Sequence, residues 1–167
     1  MVTIKSDREV QLMREAGRIV ALAHQEVKKH IKAGVTTMEL DEIVERVIRN
    51  YDAIPSFKGY GGFPGSACTS VNEQVVHGLP TERPFEEGDI VSVDCGAIFK
   101  GYYGDHAYTF KVGQVSPEVS HLLKVTKECL YLGIEQCTTS NRLEDIGWAI
   151  QQHAEKNNFG VVRDLVG

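Results

Sequence analysis

The chain has 167 residues, 42% of them hydrophobic, and carries 18 Lys and Arg against 23 Asp and Glu, a formal net charge of −5. A chain of this length can bury about 70% of its unfolded surface, so it needs neither disulfides nor a structural metal to form a core. The acidic balance, without a long run of basic residues, argues against nucleic acid or anionic membranes as partners.

The cysteines and the N-terminus indicate a reducing compartment. The four cysteines are separated by 27, 34 and 8 positions, which matches neither a redox pair nor a zinc ribbon, so we expect reduced, mostly buried thiols. The first residues, MVTIKSDREV, carry charges where a secretory signal is apolar, and no apolar stretch approaches the roughly 18 residues of a membrane span. We therefore expect a cytoplasmic protein with no membrane partner.

Two amphipathic helices are predicted at the start of the chain. Ser6 and Glu9 form a capping-box pattern, and the apolar residues behind them recur at three- and four-residue steps, which predicts a long helix ending near Gly34. Thr36 and Glu39 form a second capping box before a shorter helix. The charged residues of these helices are expected to face water.

The middle of the chain is predicted to be a mostly antiparallel sheet. Nine of the 16 glycines fall between Gly59 and Gly104, a density that excludes long helices. Short β-rich runs at 66–71, 90–98 and 102–112 are separated by turn-forming residues, which is typical of strands.

Two further helices and a short segment are predicted after the sheet. Ser116 and Pro117 are suited to the cap and first position of one helix, and Asn141 with Glu144 is expected to open another. Residues 160–167 have the composition of a strand leading into a loop. The order predicts an α+β fold in which an antiparallel sheet is flanked by helices. We expect the four helices to pack on the face of the sheet opposite to the face that carries Asp94 and Asp105.

The most informative segment is the predicted hairpin IVSVDCGAIFKGYYGDHAYTF. If Lys100 and Gly101 form a two-residue turn, paired residues sum to 201, and Asp94 and Asp105 then share one face as diagonal neighbours. Their Cβ atoms would lie roughly 7 Å apart. A three-residue turn would place them on opposite faces.

Two interpretations of this aspartate pair are open on spacing alone. Carboxylates that point inward from a strand are costly unless neutralised, and two divalent ions about 3.5 to 4 Å apart fit between such groups. Alternatively, both aspartates lie on a solvated face or make ordinary turn and cap bonds.

A histidine and a glycine-rich loop are further candidates. His77, beside a turn, is either structural or a ligand, general acid/base or substrate donor. Tyr60, Phe63 and Cys68 either line an apolar pocket or simply pack. The loop lacks the glycine spacings of phosphate-binding motifs, and neither a nucleophile elbow nor an HExxH pair occurs.

Taken together, these motifs resemble those of a known family. The matching stretches are SFKGYGGFPGSACTSVNEQVVHGLP, GDIVSVDCGAIFKGYYGDHAYTF and the terminal FGVVRDLVG. They are similar to the type I methionine aminopeptidases, of the bacterial type and the creatinase or "pita-bread" fold, and the likeness runs from Met1 to Gly167.

This resemblance implies a dinuclear metal site and a role for each carboxylate. Asp94 would chelate one divalent ion and Asp105 would bridge both, with Co, Mn, Fe or Zn as the metal. His77 would contact the scissile amide and stabilise the transition state. The reaction implied is hydrolytic removal of the initiator methionine from short peptides or nascent chains by metal-activated water.

The resemblance also implies a substrate pocket and a monovalent cation. The residues expected to surround the methionine side chain are Phe57, Tyr60, Phe63 and Cys68. The backbone near Asn72 and Gln74 resembles a site for Na⁺ or K⁺.

One departure from the family pattern concerns the metal ligands. The family takes a histidine and two glutamates from its C-terminal half, and this chain stops immediately before the expected HGxG motif. Residues 1–167 are therefore expected to be the N-terminal half of a single metalloaminopeptidase domain, with the C-terminal half absent and little activity alone. Partners implied are peptide N-termini, the missing half, or a second copy through an exposed sheet edge near Val161, Val162, Leu165 and Val166.

Two other functions compete with the aminopeptidase. A non-catalytic pita-bread-fold binding module has no reason to keep paired, desolvated carboxylates. A proline-specific or creatine-cleaving relative fits less well, because Cys68 and the aromatic loop from Phe57 to Phe63 look more like a methionine pocket.

Overall fold

The structure, a computed structural model, describes residues 3–163. The chain divides into two compact units, residues 1–115 and 116–167, each with a hydrophobic cluster of its own. The helices are α1 (Asp7–His30), α2 (Thr37–Asn50), α3 (Pro117–Glu135) and α4 (Leu143–Lys156), and the strands are β1 (Ile54–Pro55), β2 (Ala67–Val71), β3 (Ile90–Phe99) and β4 (Tyr102–Lys111). This confirms the predicted α+β class with an antiparallel sheet.

Helix α1 begins where its sequence predicts and ends earlier. The Ser6 side chain accepts from the Glu9 N–H at 3.4 Å, and the Glu9 carboxylate accepts from the Ser6 N–H at 2.7 Å. The helix ends at His30 because Ile31 already has extended backbone. Gly34 lies in the turn that follows, where its φ of +87° suits a glycine, so the predicted end near Gly34 was late.

The hairpin of β3 and β4 has the predicted register. Asp94 lies opposite Ala107 and Asp105 lies opposite Gly96, so paired residues sum to 201. The two turn residues, at positions 100 and 101, have φ of 48° and 86°. Positive φ at both positions characterises the turn that joins strands through two residues. Asp94 and Asp105 therefore share one face.

Strand β3 is the centre of the sheet. It pairs with β4 along one side and with β1 and β2 along the other, always antiparallel. Strand β1 is a two-residue element that the sequence analysis missed, and a short 3-10 turn spans Tyr60–Gly62. Within residues 3–163, β4 pairs on one side only, so that edge of the sheet is unpaired. The predicted position of an exposed edge near Val161 and Val162 stays a prediction.

Helices α1 and α2 cover the sheet face opposite the aspartates. Alternate β3 residues are fully buried in the same cluster as the apolar faces of both helices: Val91, Val93, Cys95 and Ala97 on the strand, with Ile19, Val20, Val27, Leu40, Val44 and Ile48 on the helices. Burying each Val, Leu or Ile side chain stabilises the fold by about 1.5–3 kcal/mol. The structure confirms that α1 and α2 pack on the sheet face opposite Asp94 and Asp105. The same placement of α3 and α4 stays a prediction.

Helix α1 lies unusually close to β4. A Cβ added to Gly104 would stand 2.4 Å from the Gly17 nitrogen and 2.5 Å from the carbonyl carbon of Ala16. Only a residue without a side chain allows the helix backbone to approach the strand this closely. The glycine in β4 thus fixes the distance between α1 and the hairpin that carries the aspartates.

The second unit is a pair of helices that pack on each other. Ser116 caps α3 with Pro117 at its first position, as predicted. Helix α4 instead begins after Arg142, whose N–H donates to the Asp145 carboxylate at 2.7 Å. The predicted Asn141 box was wrong because the Asn141 amide donates to the Gln136 carbonyl oxygen at 3.1 Å.

The C-terminal prediction is tested only in part. Residues 160–163 form no strand, so the predicted strand is wrong there, and residues 164–167, including Leu165 and Val166, lie outside the described residues. Val161 and Val162 are 41% and 50% exposed. Among the helices described, none has the length and apolarity to cross a bilayer.

Replacing Gly104 by Ala should destabilise the protein by about 1–3 kcal/mol, because the new methyl group overlaps the backbone of α1. Gly17→Ala is the matched control: nothing lies within 4 Å of an added Cβ. Alanine in a helix interior should raise stability by about 0.5–1 kcal/mol there. Urea unfolding of both variants measures the two effects. A Gly104→Ala variant as stable as the unsubstituted chain would contradict the close approach.

Candidate active site

One cavity gathers the metal and pocket candidates named from the sequence. It encloses about 470 Å³ beside the β3–β4 hairpin. Its lining residues are Phe57, Tyr60, Phe63, Cys68, His77, Asp94 and Asp105. Asn72 and Gln74, the monovalent-cation candidates, are not among them.

Asp94 is half-buried, and no lysine or arginine of the described residues pairs with it. Its Oδ1 is buried without a hydrogen-bond partner. Burial, followed by the negative charge of Asp105, raises the pKa of Asp94 to about 6, and His77 opposes this only partly. No Lys or Arg in the described part of the chain forms an ion pair with Asp105 either. A cation bound between the two carboxylates would offset both their mutual repulsion and the desolvation of Asp94.

The donor set fits a divalent metal ion. Carboxylate oxygens suit such ions, and the unpartnered Asp94 oxygen is available as a ligand. Burial, followed by the charges of Asp94 and Asp105, raises the pKa of the neighbouring Cys68 thiol to about 11. Over residues 3–163, no group of three or more His, Cys, Asp and Glu side chains surrounds a metal position. The two carboxylates would thus make up only part of a coordination sphere.

The glycine-rich loop forms the apolar side of the cavity. The Phe63 N–H donates to the Tyr60 carbonyl at 2.9 Å, and the Gly59 N–H donates to the Phe63 carbonyl at 2.8 Å. These bonds fold the loop onto itself between β1 and β2. Tyr60 is 83% exposed and therefore lies at the mouth of the cavity. Cys68 is only 6% exposed and lies on the deep side of the cavity. The aromatic residues therefore line a pocket and are not simply core.

His77 is held at the rim by strand β2. Its φ of 58° is unusual for a side-chain-bearing residue, and such backbone often occurs at functional sites. A Cβ on the following Gly78 would lie 2.4 Å from the Thr69 carbonyl oxygen, so only glycine fits there. The Gly78 N–H donates to Ser70 Oγ at 3.1 Å, and the Thr69 N–H donates to the Gly78 carbonyl at 2.8 Å.

The side chains of Asn72 and Gln74 have structural partners. The Asn72 amide donates to Asp89 at 2.7 Å, and its oxygen accepts from the Ile90 N–H at 3.0 Å. The Gln74 oxygen accepts from the Val71 N–H at 2.9 Å. A cation on the backbone of Asn72 and Gln74 stays a prediction.

Asp41 of α2 lies near the pocket, although the sequence pattern did not predict it there. Asp41 was expected to face water with the other charges of α2, and instead it is only 6% exposed. Its carboxylate accepts from the N–H groups of Ser66 and Ala67, just before Cys68. Its place in the helical pattern was the available signal, because Asp41 adjoins Leu40 on the apolar face.

Comparison with known proteins identifies the family. The model of metallopeptidase family M24 matches residues 11–167. Methionine aminopeptidase 1 of Bacillus subtilis is 53% identical over 167 residues, which cover 100% of this chain and 67% of that protein. The chain belongs to the methionine aminopeptidases of metallopeptidase family M24.

Solved structures agree with this assignment. The crystal structure of methionine aminopeptidase from Thermotoga maritima matches with a TM-score of 0.97 and 43% identity, over 100% of this chain and 68% of that one. The Xaa-Pro dipeptidase of Bacillus anthracis has a TM-score of 0.78 at 22% identity, over 92% of this chain and 42% of that one, which shows the shared pita-bread fold alone. The chain thus corresponds to about two thirds of a methionine aminopeptidase.

Replacing Asp94 by Asn should stabilise the metal-free protein. The change removes a desolvated charge beside Asp105. We expect a gain of about 1–2 kcal/mol, after allowing for solvent at the open side of the cavity. Thermal unfolding without metal measures it. Asp105→Asn is the matched control, with a smaller expected gain because Asp105 is exposed. Excess Mn²⁺ should raise the Tm of the unsubstituted chain more than that of either variant, and equal shifts would contradict the metal assignment.

Proposed function

We propose that this chain provides the N-terminal part of an enzyme that removes methionine from the N-termini of peptides and nascent chains. The observation that carries the proposal is the cavity in which Asp94 and Asp105 adjoin an apolar, aromatic wall. A metal site next to an apolar pocket suits an aminopeptidase whose first substrate residue is apolar. The names of the related proteins support the choice of methionine.

The proposed domain extends beyond the residues of this chain. Residues 1–167 form the N-terminal part of a single metalloaminopeptidase domain, about two thirds of its length by comparison with the relatives, and both compact units belong to it. Two observations support this proposal: the relatives are about half as long again, and the described residues supply too few metal ligands.

Two divalent ions, of Mn, Co, Fe or Zn, are proposed at the carboxylate pair. Asp94 would chelate one ion and Asp105 would lie between both, which gives the buried Asp94 oxygen the partner that it lacks. When bound, such ions polarise the substrate carbonyl and lower the pKa of water. The backbone of Asn72 and Gln74 is proposed to hold Na⁺ or K⁺.

The remaining cavity residues are proposed to bind and orient the peptide. Phe57, Tyr60, Phe63 and Cys68 would surround the methionine side chain, and the protonated Cys68 thiol suits an apolar contact. His77, at the exposed rim, would donate a hydrogen bond to the peptide group being cleaved. A positioned donor of this kind stabilises charge that develops in the transition state.

The proposed setting and partners follow from the same assignment. The protein acts in the cytoplasm on nascent chains, in agreement with four free cysteines. The unpaired side of β4 offers a docking edge for the missing half of the domain or for a second copy. A non-catalytic binding module is the competing function, and the unpartnered buried oxygen of Asp94 argues against it.

The chain alone should bind Mn²⁺ weakly and should show little cleavage of the tripeptide Met-Ala-Ser. The reason is that two carboxylates leave most coordination positions of each metal ion to water. The fused chain, which carries the remaining third of the Bacillus subtilis relative after residue 167, should cleave it. Titration calorimetry and a methionine-release assay measure both. Asp94→Ala in the fused chain is the control and should abolish turnover. A folded, metal-loaded fused chain without turnover would contradict the proposed function, and tight binding of two ions by the chain alone would contradict the ligand assignment.

Replacing His77 by Ala in the fused chain should lower kcat and leave the metal content unchanged. Loss of one hydrogen bond to developing charge typically costs about 10²- to 10³-fold in kcat. His30→Ala is the matched control, because His30 lies at the end of α1 and contacts Glu26. Metal analysis accompanies the kinetics. Loss of metal with unchanged turnover per bound ion would show that His77 is a ligand.

A further inference from the structure

Helix α2 is hydrogen-bonded to the end of the glycine-rich loop through the buried carboxylate of Asp41. Asp41 Oδ1 accepts from the Ser66 N–H at 2.6 Å and from the Ala67 N–H at 2.8 Å. Gly65 leaves the space for this contact, since an added Cβ would lie 2.9 Å from the same oxygen. These bonds join α2 to the point where the loop becomes strand β2.

The same helix also holds the start of the loop. Glu45, one turn after Asp41, pairs with Lys58, which directly follows Phe57. Residues four apart lie on one helix face, so a single face of α2 contacts both ends of the loop. Between those ends lie Tyr60 and Phe63, whose rings line the cavity.

The contact made by Asp41 is one residue away from Cys68, which lines the cavity and lies opposite Asp94. Cys68 follows Ala67 directly and pairs with Asp94 across β2 and β3. A shift of Ser66 and Ala67 therefore moves Cys68 relative to the carboxylate pair. Displacements of about 1 Å at a substrate-positioning group are enough to affect catalysis strongly.

Burying the Asp41 carboxylate costs desolvation free energy that a purely structural apolar residue would not cost. It is 6% exposed among apolar neighbours of α2, and no Lys or Arg in the described part of the chain forms an ion pair with it. Burial raises the pKa of its carboxyl group even though two N–H groups donate to it. An apolar residue there would pack without this desolvation, but it would leave two backbone donors without their acceptor.

We propose that Asp41 is a positioning residue for the substrate pocket, which holds the Cys68 wall in register with Asp94 and thereby determines how tightly the first substrate residue binds. The inference deepens the proposed function and rests on it for the identity of that substrate. The positioning itself does not require turnover, because it predicts a local change around Cys68.

Thiol labelling of the chain as it stands tests the positioning. In Asp41→Ala, we expect Cys68 to react with an alkylating reagent about tenfold faster, because loss of the two bonds opens the loop locally. Cys95, on the opposite face of the same sheet, and Cys129, in the second unit, are internal controls and should keep their rates. Peptide mass spectrometry measures each cysteine separately.

Two further variants separate positioning from general destabilisation. Asp41→Asn retains an oxygen that accepts both bonds and should restore Cys68 labelling to within about threefold of the unsubstituted rate. Glu42→Ala removes an exposed charge of the same helix and should change nothing. If Cys95 accelerates together with Cys68, or if Asn behaves like Ala, the positioning role is overturned.

Kinetics of the fused chain test the effect on substrate. Asp41→Ala should raise the KM for Met-Ala-Ser about tenfold while kcat changes less than about threefold, since the pocket wall moves and the carboxylate pair remains. Faster Cys68 labelling with an unchanged KM would overturn the link to substrate binding. If the unsubstituted fused chain shows no turnover, the proposed function fails, and the labelling still decides whether Asp41 positions Cys68.

Discussion

Two carboxylates held on one face of a β-hairpin are the constraint on which the site depends. The register of β3 and β4 makes Asp94 and Asp105 diagonal neighbours, and burial leaves one Asp94 oxygen without a partner. Like charges in such a place destabilise the fold unless a cation neutralises them. Without a cation the arrangement therefore lowers the stability of the fold, a trade-off that is common at functional sites.

Strand β2 connects this charged pair to the rest of the cavity. Through Cys68 it faces Asp94 on the neighbouring strand, and through its contacts with Gly78 it places His77 at the rim. At its start, Asp41 of α2 fixes where the glycine-rich loop ends. One short strand, buried along its whole length, thus relates the carboxylates, the histidine and the aromatic wall to each other.

Family membership and geometry support different parts of the functional argument. The match to metallopeptidase family M24 and to methionine aminopeptidases establishes ancestry over essentially the whole chain. It does not by itself say what each side chain does here. The cavity shows that seven candidate residues lie at one place, which is what the proposed roles require.

The sequence alone determined the elements whose signals are local. Capping boxes located the starts of α1 and α2. For a two-residue turn, the alternation of side chains along a strand predicted one face for Asp94 and Asp105, and the register of the hairpin confirms it. The motifs also pointed to the family. Asn141 was misread because a competing bond to Gln136 is not visible in a capping pattern.

Only the tertiary structure decided which residues distant in sequence meet. Burial of Asp41 depends on the loop that ends 25 residues later, and a helical pattern cannot show which backbone donors will stand against a carboxylate. The raised pKa of Asp94 likewise depends on what surrounds the hairpin. Local periodicity fixes the direction of a side chain, whereas its charge state and its partners are set by packing.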